Sequence, residues 1–212
     1  MNVMIVAANG TFGRLIVDEA LSRGHKVTAF VRKPEGLALK HPSLKVVKGD
    51  STDAQSIADA AKGQDAVISA VGPAHDGSSD PKLLPKTANA LRAGLAKAGV
   101  KRVIVIGGAG SLEIGGKRLV DTPAIPDAWK PLVLSHIEAF DIYKTFENDW
   151  TYFSPAGMFQ PGDKKGHFRL GGDRLLTDEA GKSELTYGDG ATVVVDELEK
   201  AKHVRKRFTA AY

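Results

Sequence analysis

The 212-residue sequence contains no cysteine. Disulfides, thiol nucleophiles and thiolate metal sites are therefore excluded, and the composition suits a reducing, cytoplasmic compartment. No apolar run approaches the roughly 18 residues that a membrane helix needs. No basic segment precedes the first apolar run either, so a secretory leader is not expected. A further absence is chemical. None of the four tyrosines, Tyr143, Tyr152, Tyr187 and Tyr212, has a lysine four residues later. The Tyr-x-x-x-Lys pair, in which a lysine lowers the pKa of a proton-donating tyrosine, is therefore missing.

What is present is ordinary for a globular chain. With 42% hydrophobic and 25% charged residues it can bury a core as one domain, residues 1–212. The formal charge is +4, and much of the surplus lies in "KAKHVRKRF", Lys200 to Phe208. That run is expected to be a solvated helix end, with basic residues set against the helix dipole. No nucleic-acid motif accompanies it, so no nucleic-acid partner is expected.

The first two thirds alternate short apolar runs with amphipathic segments, the pattern of a parallel α/β sheet with crossover helices. Strands are expected at Asn2–Ala7, Lys26–Val31, Leu44–Lys48, Ala66–Ala70, Arg102–Ile106 and Trp150–Ser154. Phe12 to Arg23 has helical spacing, and Asp80–Gly99 reads as a second helix stopped by glycine, with Pro85 in its first turn. The pattern changes near residue 155, which divides a core (1–155) from a small C-terminal lobe with a last helix and strand (156–212). "GHFRLGGDRLLT" suggests a hairpin about Gly171-Gly172-Asp173. "GDGATVVVDELEKAKH" suggests a helix capped by Asp189, and "KRFTAAY" an edge strand.

Between the first strand and the first helix lies "VAANGTFGR", Val6 to Arg14. Ala7, Gly10 and Gly13 stand where G-x-x-G-x-x-G would carry three glycines. Such a turn lets the backbone approach a pyrophosphate and aims helix amides at its charge. Ala7, Asn9, Gly10, Thr11, Phe12 and Gly13 are the loop's candidate cofactor contacts. Ala7 is tolerable there if its φ is negative. The second strand ends in Arg32-Lys33, with no acid between Lys26 and Pro34. An acid at that place would bond a ribose 2′-hydroxyl, whereas a guanidinium suits a 2′-phosphate, so NADPH is favoured and NADH remains possible. Asp50 and Ser51 after the third strand, and Ala70, Val71 and Gly72 after the fourth, should face the same crevice. The loose segment Ala74 to Pro81 has the composition of a lid, as of any surface loop.

Several motifs in order, "AANGTFG", "FVRKP", "VISAVGP", "VIVIGGAGSLE", "DWTYFSPAGMF" and "VDELEKAKHVRKRFTAAY", resemble those of the NADH-flavin reductase group of atypical short-chain dehydrogenases. That group is related to NmrA-like proteins and to biliverdin reductase B. The resemblance runs over essentially the whole chain. It implies a Rossmann-type doubly wound parallel sheet with a small C-terminal lobe over the nicotinamide, and a reductase acting on flavins or quinones. The flavin would be a substrate, not a prosthetic group. The loop departs from the group's usual G-A-T-G or G-A-S-G at Ala7 and Asn9.

The catalytic candidates implied by resemblance are Ser111, where short-chain dehydrogenases carry a serine after the fifth strand, and His136, since biliverdin reductase B has a histidine early in this helix. His136 and Tyr143 lie seven residues apart and so share a helix face with Phe140. Pro155, Met158 and Phe159 are expected to wall the nicotinamide pocket. No metal site is expected, and the assembly is left as monomer or homodimer. Besides the reductase, two readings stay open: a non-catalytic NADP-binding regulator, and an atypical epimerase or dehydratase.

Overall fold

The computed structural model describes residues 1–73 and 80–212. In chain order, β1 (Asn2–Val6), α1 (Thr11–Ser22) and β2 (Lys26–Val31) lead to β3 (Leu44–Lys48), α2 (Ala54–Ala61) and β4 (Ala66–Ser69). Then come α3 (Leu83–Ala98), β5 (Arg102–Ile106), the short hairpin β6 (Glu113–Ile114) and β7 (Lys117–Arg118), α4 (Lys130–Tyr143) and β8 (Asp149–Pro155). The last third carries β9 (Met158–Gln160), β10 (Arg169–Gly171), β11 (Glu184–Thr186), α5 (Tyr187–Lys200) and β12 (Lys206–Ala211).

Eight strands form one sheet in the order β10-β12-β8-β5-β4-β1-β2-β3, all parallel except β10. One face buries Val3, Ile5, Ile68, Ile104 and Phe153 under α1 and α5. The other buries Met4, Val67, Val103 and Tyr152 under α2, α3 and α4. Runs that are apolar on both faces are what a sheet covered on both sides requires. From β1 the chain winds outward through β2 and β3, then returns to β4 on the other side. The strand ends at that reversal form a crevice where such sheets hold ligands.

All six expected strands are present, and no end is moved by more than one residue. The expected helix over Asp80–Gly99 is α3, and Gly99 caps it at φ 70°. Helix α2, which the apolar pattern did not single out, is capped by the Asp53 carboxylate accepting from the Gln55 amide.

Four expectations need correction. The segment about Gly171 makes no hairpin with its own continuation. β10 pairs with β12, and residues after the turn run to β6, where the Glu113 amide donates to Asp173 and the Leu175 amide to Glu113. β12 is consequently an inner strand, between β8 and β10. Asp189 does not cap α5. Thr186 does, and Asp189 sits in the first turn, where its carboxylate accepts the Lys165 and Gly166 amides. Finally, α5 ends at Lys200, and Arg205 and Arg207 lie beyond it, so most of the basic run cannot answer the helix dipole.

Candidate functional site

The β1–α1 turn has the backbone geometry that a phosphate cradle needs. The Ala7 amide extends the β1–β2 ladder by donating to Phe30, and the Gly10 amide turns back to the Ala7 carbonyl at 3.0 Å. Gly10 then stands as an extended residue before α1, whose first turn has neither a capping side chain nor an acid. Its free amides and dipole therefore suit a pyrophosphate. Gly13 is dictated by packing, because a Cβ there would stand 2.3 Å from the Ala7 carbonyl oxygen.

Ala7 departs from expectation, for its φ is +60°. The missing glycine thus leaves an L-residue in left-handed backbone, a strain of about 1–2 kcal/mol. Ala7→Gly should raise stability by about 0.5–1 kcal/mol, the relieved strain less the greater entropy of the unfolded glycine. In a chain of this size that is roughly 1–4 °C in Tm. Calorimetry showing no gain would mean the turn carries no strain at Ala7.

A cavity of about 320 Å³ opens between this loop and the ends of β2, β3 and β4. Ala7, Asn9, Gly10, Arg32, Lys33, Ser51, Ala70, Val71 and Gly72, nine of the expected cofactor contacts, line it together. Asn9 and Arg14 tie the first loop to the second, donating to the Lys33 and Gly36 carbonyls at 3.4 and 2.8 Å. Among the described residues no carboxylate lines the cavity.

The remaining expected contacts lie outside its walls. Asp50 turns its carboxylate to the Thr52 amide and hydroxyl, both at 2.8 Å, and these bonds hold it below the usual carboxylate range. Thr11 and Gly13 belong to the first turn of α1, and Pro155 ends β8. The Phe12 ring packs on Phe159 and Tyr187 of the C-terminal segment, at 4.8 and 5.4 Å between centroids. The sequence reading missed Val6, Phe30, Val31, Gly49 and Leu83 as lining residues. Gly49 had a signal in "KGDSTD", a glycine directly after a strand. Its reason is tertiary, since a Cβ there would overlap the Phe30 ring. The expected lid, Ala74 to Pro81, lies largely outside the described residues.

Beside Val71 a second, smaller cavity lies beneath the ends of β4 and β5, lined by Ser69, Thr87, His136, Tyr143 and Tyr152. His136 and Tyr143 meet there as their spacing implies, whereas Phe140 stacks on Tyr152 at 4.4 Å outside it. Ser111 lines neither cavity; its hydroxyl accepts from Arg207 Nη1 at 2.7 Å. The structure therefore does not bring Ser111 and His136 into one pocket. Burial lifts the Tyr143 and Tyr152 phenols well above their ordinary value, so both stay protonated.

Burial also pushes the His136 imidazole down to about 4, which leaves it neutral at physiological pH. The unfolded chain takes up that proton near pH 6.5 and the folded chain resists it. The stability this histidine contributes is therefore complete above about pH 6.5 and lost as pH falls to about 4. The slope is at most about 1.4 kcal/mol per pH unit, and less because the ring keeps some solvent contact. In urea unfolding, His136→Gln should flatten that acid limb. An unchanged limb would place the proton uptake elsewhere.

The fold and the cradle define a dinucleotide-binding protein, and comparison with known proteins gives the family. Residues 7–201 match the NAD(P)H-binding family, and the chain belongs to it. It is 35% identical to YwnB of Bacillus subtilis, an uncharacterized protein, over 99% of this chain and 97% of that one. Among solved structures it is similar to a "putative epimerase" of Bacteroides thetaiotaomicron, with 38% identity, TM-score 0.92 and coverage of 100% and 96%. It is equally similar in sequence to a "putative NADH-flavin reductase" of Streptococcus pneumoniae, with 38% identity, TM-score 0.85 and coverage of 100% and 99%. The expected Rossmann-type fold and family are thereby established. No helix among the described residues is long and apolar enough to cross a membrane.

Proposed function

We propose that this protein is an NADPH-dependent reductase of flavin- or quinone-like acceptors. The observation that carries the cofactor assignment is the lining of the cavity beside the β1–α1 turn, which includes Arg32 and Lys33 and, among the described residues, no carboxylate. Arg32 would grip a 2′-phosphate with paired charge-assisted hydrogen bonds, Gly10 and the first turn of α1 would hold the pyrophosphate, and Val71 and Gly72 would pass the nicotinamide ribose. Bound there, the reduced nicotinamide would supply a hydride.

The reductase assignment rests on what surrounds that ring. Tyr143 and Tyr152 are buried, and no tyrosine of the chain carries the lysine partner. An acceptor that takes hydride and draws its proton from solvent needs no such pair, and catalysis is then mainly proximity and orientation. Pro155 and Met158, whose side chain is 52% exposed, would wall the acceptor on the lobe side. Of the two polar candidates, His136 is the one proposed to face the acceptor, because Arg207 engages Ser111.

The missing Tyr-x-x-x-Lys favours a non-catalytic NADPH sensor just as well. The deciding experiment follows NADPH and NADH oxidation with FMN, FAD and simple quinones. Turnover with NADPH on at least one acceptor supports the reductase. Tight NADPH binding with no turnover on any of them replaces it with the sensor.

A further inference from the structure

We propose that the small cavity beneath β4 and β5 holds one water, which links His136 to the nucleotide cavity as a proton relay. The space open to a water centre there is about 10 Å³, close to one molecule's requirement. Its walls offer the partners that a buried water needs: the Ser69 and Thr87 hydroxyls, the Tyr143 phenol and the His136 ring. Ser69 faces the Tyr143 phenol. Ser69, Thr87 and Tyr143 are almost wholly buried, on three separate elements that pack against one another.

The connection to the nucleotide is direct. Thr87 Oγ1 lies 3.4 Å from Ser51 Oγ, and Ser51 lines the large cavity. A line of exchangeable protons therefore runs from Ser51 through Thr87 and the water to His136. At the far end the His136 ring lies against Gly108, where a Cβ would stand 3.2 Å from it, at the carboxyl edge after β5. A neutral imidazole passes a proton by releasing it from one nitrogen and receiving another on the second. Tyr143 stays protonated and serves to position the water.

The relay rests on the reductase reading and deepens it, because it names which acceptors benefit. A quinone reduced by hydride keeps one oxygen anionic until a proton reaches it. The electron pair arrives with the hydride, and the proton comes from solvent through Ser51, Thr87, the water and His136. A flavin takes the hydride on its ring and can collect its proton after release. The site is thereby suited to quinone-like acceptors, whose product oxygen receives its solvent-derived proton in place.

The test uses Thr87→Val and Tyr143→Phe, which keep side-chain size, with Thr87→Ser as the hydroxyl-preserving control. The ratio of quinone to flavin turnover should fall roughly tenfold or more in the first two. Thr87→Ser should restore it. The solvent deuterium isotope effect on quinone turnover should change with the ratio, which simple loss of folded protein would not cause. If the wild type reduces both acceptors and neither the ratio nor the isotope effect moves, the relay is wrong and the reductase stands. If the wild type reduces neither, the reductase reading fails. The relay is then judged by a high-resolution crystal structure with NADP⁺: a water bridging Thr87 and His136 supports it, and a side chain filling the cavity overturns it.

Discussion

Arg32→Ala should weaken NADPH binding roughly 30- to 150-fold while leaving NADH binding nearly unchanged. At the end of β2, Arg32 and Lys33 are the cations that line the proposed nucleotide cavity. Among the described residues the Arg32 guanidinium makes no hydrogen bond or ion pair, although its charge reaches the Asp50 carboxylate and helps hold that group below its ordinary value. A hydrogen bond to a charged group contributes about 1.5–3 kcal/mol, and a bidentate grip on the 2′-phosphate about 2–3 kcal/mol after solvent competition. NADH carries a hydroxyl at that position and gains no such grip. Lys33 remains as a point charge in the single variant, so Arg32→Ala with Lys33→Ala should widen the difference further. Titration of both nucleotides by nicotinamide fluorescence measures it. Equal weakening of NADPH and NADH would show that Arg32 does not read the 2′-phosphate.

The largest effect on stability is expected at Glu197, on the last turns of α5. Its side chain is 3% exposed and pairs with Arg102 at 2.7 Å. It also accepts the His203 and Lys202 amides at 3.0 and 3.2 Å, and meets His203 Nδ1 at 2.7 Å. The same guanidinium donates to Thr151 Oγ1, so one carboxylate joins α5 to β5, β8 and the turn before β12. Burial already lowers the Arg102 pKa, and Glu197 opposes that. Glu197→Ala would leave this cation buried without its partner, at a cost of about 3–5 kcal/mol. The Tm should drop by roughly 6–20 °C. Removing both charges, with Arg102→Met and Glu197→Leu, should recover much of the loss, since an apolar pair avoids the desolvation cost. A single-variant loss under about 1 kcal/mol would mean that water reaches Arg102 freely. NADPH affinity of the remaining folded protein should not change, because these residues sit at the opposite edge of the sheet from the nucleotide cavity.

The proposed nucleotide half of the site was legible because its signals are local. A glycine-rich turn between an apolar strand and an amphipathic helix, and a basic pair directly after the second strand, both lie within a few consecutive residues. Backbone geometry then brings them together, because parallel strands end on one edge. The reacting half was less legible. Ser111 and His136 both came from the resemblance to known families, yet only His136 lines a cavity, since Arg207 on β12 engages Ser111. That partner lies 96 residues away in sequence. The same distance effect misled the reading of residues 166–177. A Gly-Gly-Asp turn announces a reversal of the chain, but the strand that reaches β10 is β12.

Composition and periodicity by themselves determined an α/β sheet with helices on both faces, because a strand buried on both sides must be apolar throughout. They also determined the cradle, since phosphate approach needs small residues at fixed spacing before a helix. Only the tertiary structure decided the backbone sign at Ala7, where the bond to Phe30 and the packing of Gly13 hold a left-handed turn against the residue's preference. It alone decided that Asp50 turns to Thr52 while Ser51 faces the nucleotide cavity, and that Thr87 and His136 share a second cavity. Those outcomes depend on which side chains from distant segments compete for the same space and the same hydrogen bonds, and no local pattern records that competition.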